Sequence, residues 1–419
     1  MPEEDPTFLY ELARNSEELK LIEYLTGSEK PIIRYRAAEI LGGLASSKSD
    51  DARERVLRAL LRTARHDEND SVRASAIDAI YLRDEDSLGQ LIADLAGERI
   101  DDVPDWVGID RTTDWLEAEY PEFRMLAAAA LGRIGDERAI PDLLGACTDS
   151  DLRVRTRAVR ACGTIADPRA VDVLEGRLED RSEQVRRAAA TALAEIGTED
   201  ALEALAPAAR SSTESVQVIA VGELGRFGNL EPVPILVDSL EDPSELVRRT
   251  AARSLLELLA NAPPDRSHEL REAVSDELSQ GDTTSLVEQL GAILAGNAPQ
   301  YVRRNGTWLL GRIADDEHRE DVQEWLLRAL DDSDEITAKF AMTGLVQLGD
   351  PSLESRLRRL VRDEPDGSAT KRRAEFVLER VKSSPSREAV TNSVEFTYVS
   401  DPADYTRKKR GEPSDLRDE

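Results

Sequence analysis

The sequence predicts an all-α fold: an α-solenoid, or superhelix, of about ten stacked helical hairpins. The first observation behind this is a repeat without gaps. DSDLRVRTRAVRACGTIADPRAV, DRSEQVRRAAATALAEIGTEDAL, SSTESVQVIAVGELGRFGNLEPV and DPSELVRRTAARSLLELLANAPP align on Val154, Val185, Val216 and Val247, each 31 residues after the last. The second is an apolar stripe at +4, +8 and +11 from each anchor, as in Val185, Ala189, Leu193 and Ile196. At about 100° per residue these positions share one narrow helical face. The third is punctuation: Gly135, Gly197, Gly228 and Gly349 follow the stripe, and proline or acidic residues then open a partner helix, as in DPRAVDVLEGRLED. A helix pair this short cannot bury its own stripe, whereas stacked pairs share a continuous core.

In chain order, residues 1–27 are expected to form an N-terminal capping helix and residues 28–381 the solenoid. Ile33 and Val72 anchor its first units, Phe123 opens the regular block, and Val302, Thr337 and Thr370 anchor looser copies. Val72 and Phe123 are 51 residues apart, which leaves an insert at about 97–122. It holds Trp106, Trp115 and Tyr120 in a chain with 4% aromatics. Insertions in repeat arrays map to loops and often bind, and Trp and Tyr anchor interfaces. The same rings could instead seal the break between two blocks of repeats. From Val247 to Val302 the spacing is 55 residues, so an irregular unit is expected at about 261–300, two helices joined near Gly281. Residues 382–419 carry no helical stripe; VEFTYV (394–399) alternates like a strand, with Arg407, Lys408, Lys409 and Arg410 beyond it. That tail is expected to be partly disordered or to dock, in cis or on a partner.

Charge narrows the function. Lys and Arg number 55 against 84 Asp and Glu, a net charge of −29, and only eight of the cations are lysine. Carboxylates hold water and cations at a crowded ionic surface, while arginine keeps bidentate hydrogen bonds to them. Self-repulsion at this charge destabilises the compact state in dilute buffer, and molar salt screens it over about 3 Å. The composition resembles that of salt-in halophilic archaea. The same charge argues against non-specific nucleic-acid binding. No apolar run is long enough to span a membrane and the N-terminus shows no secretory signal, so a cytoplasmic location is expected. Two cysteines, Cys147 and Cys162, and three histidines leave little for disulfides, metal sites or acid–base chemistry; no metal, cofactor or catalytic residue is assigned. Only His268-Glu269 forms a His-Glu dipeptide.

Two charge patterns recur. Asp67 and Arg73, Asp149 and Arg155, Asp180 and Arg186, and Asp242 and Arg248 stand six apart, while one unit has Ser211 and Gln217 at the same places. This predicts a ladder of Asp–Arg bonds joining neighbouring units. Positions +2 and +6 project opposite the core stripe and hold Arg160, Arg187, Arg249, Arg253 and Arg304, with Trp308 beside the last. Such a strip, on helices that commonly line a concave surface, would attract an acidic protein partner; its alternative is pairing with neighbouring carboxylates. The partner-binding candidates are therefore Trp106, Trp115, Tyr120, Trp308 and these five arginines.

The strings D-x4-[VIF]-R-x2-A-x3-L-x2-[IL]-G resemble the HEAT-like repeat family, in the short form found in phycobilisome lyases, over roughly residues 28 to 381. The resemblance implies the fold. It leaves function among scaffolds, regulatory subunits, bilin lyases, DNA glycosylases and an iron hydroxylase. The expected function is a non-catalytic protein-interaction scaffold or adaptor, for example in archaeal taxis. The alternative is a lyase-type or DNA-repair-type protein of this fold acting on a chromophore or nucleic acid.

Overall fold

A computed structural model describes residues 6–44, 50–97, 109–279, 283–314 and 317–383. Every regular element among them is helical, and they form two compact units, Met1–Ala201 and Leu202–Glu419. Trp106 and the strand-like segment 394–399 lie outside the described residues.

In unit one, the stretch expected as a single capping helix holds two, Phe8–Arg14 and Glu18–Gly27. Hairpins follow: Pro31–Gly43 with Asp50–His66, Asp70–Arg83 with Glu85–Leu95, Pro121–Ile134 with Ile140–Ala146, and Leu152–Ile165 with Val171–Arg177; Glu183–Ile196 comes next. Within the insert, Ile109–Asp114 is helical and runs into a 3-10 turn, Trp115–Glu117. Unit two carries Glu214–Leu224 with Val233–Asp238, then Glu245–Asn261. Its irregular stretch contains the two helices Ser267–Leu278 and Thr284–Ala295. Gln300–Ile313 with Arg319–Ala329, Glu335–Gln347 with Pro351–Asp363, and Ala369–Ser383 complete it.

The repeat positions explain the packing. Nine of the ten anchors are buried; Val216 is half-exposed. All ten +4 positions are buried, nine of them alanine and one Gly306, which leaves room for close helix approach. Closer still is position +9. A Cβ at Gly42, Gly132 or Gly163 would lie 2.6–2.8 Å from the Cα at +7 of the following unit, namely Ala79, Ala161 and Ala192. Glycine is needed there because backbone faces backbone. Gly135 and Gly197 end their helices in the left-handed conformation at φ 73° and 66°, and Ala166 does the same at φ 58°. The other two expected stops differ. Gly228 is left-handed but lies beyond a helix that ends at Leu224, and Gly349 is not left-handed.

Candidate protein-docking site

The Asp–Arg pattern is built one unit out of step with its spacing in sequence. The arginine at +1 donates back to its own loop: Arg155 to the Asp149 carbonyl at 2.9 Å, Arg186 to the Asp180 carbonyl at 2.9 Å, and Arg248 to the Asp242 carbonyl at 2.8 Å. The rest of the guanidinium reaches forward. Arg34 pairs with Asp67 at 2.7 Å, Arg124 with Asp149 at 2.6 Å, Arg155 with Asp180 at 3.0 Å, and Arg303 with Asp332 at 2.7 Å. Gln217 keeps the geometry without charge, donating to Asp242 at 2.6 Å. Each of these aspartates also accepts the amide two residues on, as Asp180 does from Ser182 at 2.9 Å. The carboxylate therefore fixes its own loop and receives the preceding repeat. At Asp149, burial alone would raise the carboxyl pKa; Arg124 and the Asp151 amide outweigh it and hold the group below its ordinary value.

Arg73 has no such carboxylate ahead of it, because position −5 of the unit after the insert is Ala118. Its guanidinium lies over the rings of Trp115 and Phe123 instead, 5.3 and 5.0 Å from their centroids. Tyr120 meets Phe123 edge-on at 6.1 Å. Trp115 and Tyr120 are half-buried, and Trp115 lies 5.1 Å from the Phe123 ring.

The arginine strip divides. Arg304 is taken: it forms a bidentate pair with Asp334, both bonds 2.8 Å. Asp334 also accepts from Gln300 and the Thr337 amide, and these donors with Arg304 overcome burial to hold it well below the usual carboxylate range. Arg187 pairs with Glu183 at 3.0 Å on the surface, whereas Arg160, Arg249 and Arg253 are exposed and form no ion pair among the described residues. Arg160 and Arg187 line a groove of about 690 Å³ in unit one, walled by Tyr81, Leu82 and Arg153. Arg153 is held there by Asp78, Glu122 and Asp151, with its guanidinium over Tyr81.

Trp308 opens onto a larger trench in unit two, of about 1020 Å³. Ser267–Leu278, Gln300–Ile313, Glu335–Gln347 and Ala369–Ser383 line it side by side. Trp308, Phe340, Met342 and Phe376 provide apolar surface in a chain with only four Trp, six Phe and three Met. Arg271 is buried against the Trp308 ring at 4.7 Å and donates to Asn305 at 3.1 Å. Gly311 and Gly344 let two of the helices close on one another, since a Cβ on either would lie 3.2 Å from the other's Cα. Of these residues sequence reasoning singled out only Trp308. The signal was present in the +2 and +6 columns of the last three units, which read Arg304/Trp308, Lys339/Thr343 and Arg372/Phe376. Among the described residues no three His, Cys, Asp or Glu side chains converge on a metal-sized site, and no helix is long and apolar enough to cross a membrane.

The family comparison agrees with this architecture. The family model for HEAT repeats matches residues 109–187, 153–216, 176–257, 207–281 and 287–379. The chain is 40% identical over 391 residues to a HEAT repeat-containing taxis protein of Halobacterium salinarum, covering 93% of this chain and 94% of that one. Among solved structures it is similar to an engineered protein at 20% identity and a TM-score of 0.49, over 87% of this chain and 99% of that one. It is also similar to the CpcE–CpcF phycocyanin lyase complex of Nostoc at 20% identity and a TM-score of 0.33, over 68% and 98%.

Proposed function

Because the chain belongs to the HEAT-repeat family, in the form met in halophilic archaea, we propose that it is a non-catalytic cytoplasmic scaffold that holds protein partners during taxis signalling. The observation that carries this is the relative's coverage. Identity of 40% spans nearly the full length of both chains, so the likeness is not confined to a few repeats. The relative's name places it in taxis, and that setting is extended here to this chain. A repeat array supports holding better than chemistry, because it presents side chains on a rigid frame.

Of the residues nominated from sequence, Arg160 and Arg187 in unit one and Arg249 and Arg253 in unit two offer exposed guanidinium to an acidic partner. Arg304 is engaged by Asp334 and is not part of the surface proposed; the half-buried rings of Trp115 and Tyr120 pack with Phe123 and are assigned no partner. The test is a deletion strain of a halophilic archaeon together with in-cell cross-linking of the tagged chain in molar KCl. Cells that swim but no longer bias their reversals, with taxis components cross-linked to the tag, support the scaffold. A deletion strain with normal taxis rejects it.

A further inference from the structure

We infer that the trench of unit two is a peptide-docking site, and that its occupant is an acidic partner segment carrying bulky apolar side chains. This rests on the scaffold proposal and names the chemistry of its partner. Trp308 and Phe376 are half-buried, which leaves ring surface for anchor side chains to cover, and Phe340 is buried.

The walls decide the charge. Both carboxylates lining the trench face a basic side chain: Glu335 pairs with Lys339 at 3.2 Å, and Glu272 lies 3.3 Å from His268. Three guanidiniums are left over. Arg312, Arg372 and Arg373 form no ion pair among the described residues; Arg372 gives a hydrogen bond to the Gly367 carbonyl and Arg373 to those of Leu330 and Asp332. Arg160, Arg249 and Arg253 share that state, but the trench sets three such arginines beside half-buried aromatic rings. The complementary ligand brings carboxylates of its own. Molar KCl cuts long-range attraction to about 3 Å, so steering contributes little. Direct guanidinium–carboxylate contact and apolar burial survive that screening, and the occupant needs both. Single-stranded nucleic acid also stacks on aromatic rings and meets arginine, but its affinity comes largely from phosphate contacts that weaken steeply with salt, and molar KCl leaves little of them.

The probe is a fluorescein-labelled peptide alternating Glu with Phe and Leu, titrated against the full chain in molar KCl, with a Gln-for-Glu copy as control. The expected result is saturable binding that weakens about tenfold or more in Trp308→Ala and in Phe376→Ala. Arg312→Glu and Arg372→Glu, both exposed sites, should weaken the Glu probe about fivefold and leave the Gln probe unchanged, with circular dichroism intact. No saturable binding, equal binding of both probes, or binding untouched by all four substitutions overturns the inference. So does tighter capture of an oligothymidine at the same residues. Tenfold tighter probe binding by a variant ending at Ser383 would put the chain's own tail in the trench, and a dimer dissolved by Phe376→Ala would put a second copy there; both overturn it. Probe binding with normal taxis in the deletion strain rejects the signalling proposal alone, and lost taxis with no probe binding rejects this one alone.

Discussion

Arg155 of one repeat grips Asp180 of the next through two bonds, Nε to Oδ2 at 3.0 Å and Nη2 to Oδ1 at 3.2 Å, with both side chains about 95% buried. A buried pair contributes little against an apolar replacement, but removing one partner strands the other. Asp180→Ala should therefore cost about 3–5 kcal/mol, and adding Arg155→Leu should recover much of it. Urea unfolding in molar KCl measures both; additive losses would show that the two residues are not coupled.

The same carboxylates make the fold acid-sensitive. Burial works to raise Asp149, Asp180 and Asp334, but arginine and backbone N–H groups outweigh it and hold all three below their ordinary value of 3.8. A depressed folded pKa adds stability above the unfolded value, and that stability fades as pH falls through the folded one. Stability should thus be flat from neutral pH to about 5, then decline below about 4. The decline should be shallower in Asp180→Asn, whose position no longer takes up a proton. Unfolding midpoints at successive pH values read this, and an equally steep decline in the variant counts against the assignment.

Gly132→Ala tests the backbone approach between repeats. The new Cβ would lie 2.8 Å from Ala161 Cα, where no flexible side chain can yield. The helix preference of alanine favours the change by about 1 kcal/mol, yet overpacking should win and leave a net loss of about 1–3 kcal/mol. Gly145→Ala, also helical and with open space around it, is the control and should stabilise. A stabilised Gly132→Ala would refute the close contact.

What could be read from the chain follows the range of each interaction. Anchors, alanine spacers and hairpin order are set within one repeat, so constant spacing reveals them. The partner of Arg155 is not: Asp149 and Asp180 hold equivalent places in successive units, and only packing shows that the side chain goes forward while the carbonyl bond goes back. Trp115 is conspicuous in composition, but its contact with Arg73, which also pairs with Asp70 at 3.2 Å, appears only in the packing. The trench is written in the +2 and +6 columns, yet neighbouring columns become one wall only when the helices stand side by side.

Cys147 and Cys162 report whether salt holds the structure together. Their sulfurs lie 3.9 Å apart, both fully buried, and the contact between the two thiols together with burial pushes the Cys147 pKa far up. The thiolate is the reactive form, so a native chain offers none to an aqueous reagent. A net charge of −29 favours expansion in dilute buffer, and molar KCl removes most of that repulsion. Ellman's reagent should therefore find no thiol in molar KCl and both thiols after dilution, with helical circular dichroism falling over the same KCl range. Two reactive thiols in molar KCl would contradict the packing around residues 147 and 162. Silence in dilute buffer, with ellipticity unchanged, would contradict the electrostatic argument, since the acidic surface would then impose no salt requirement on the fold.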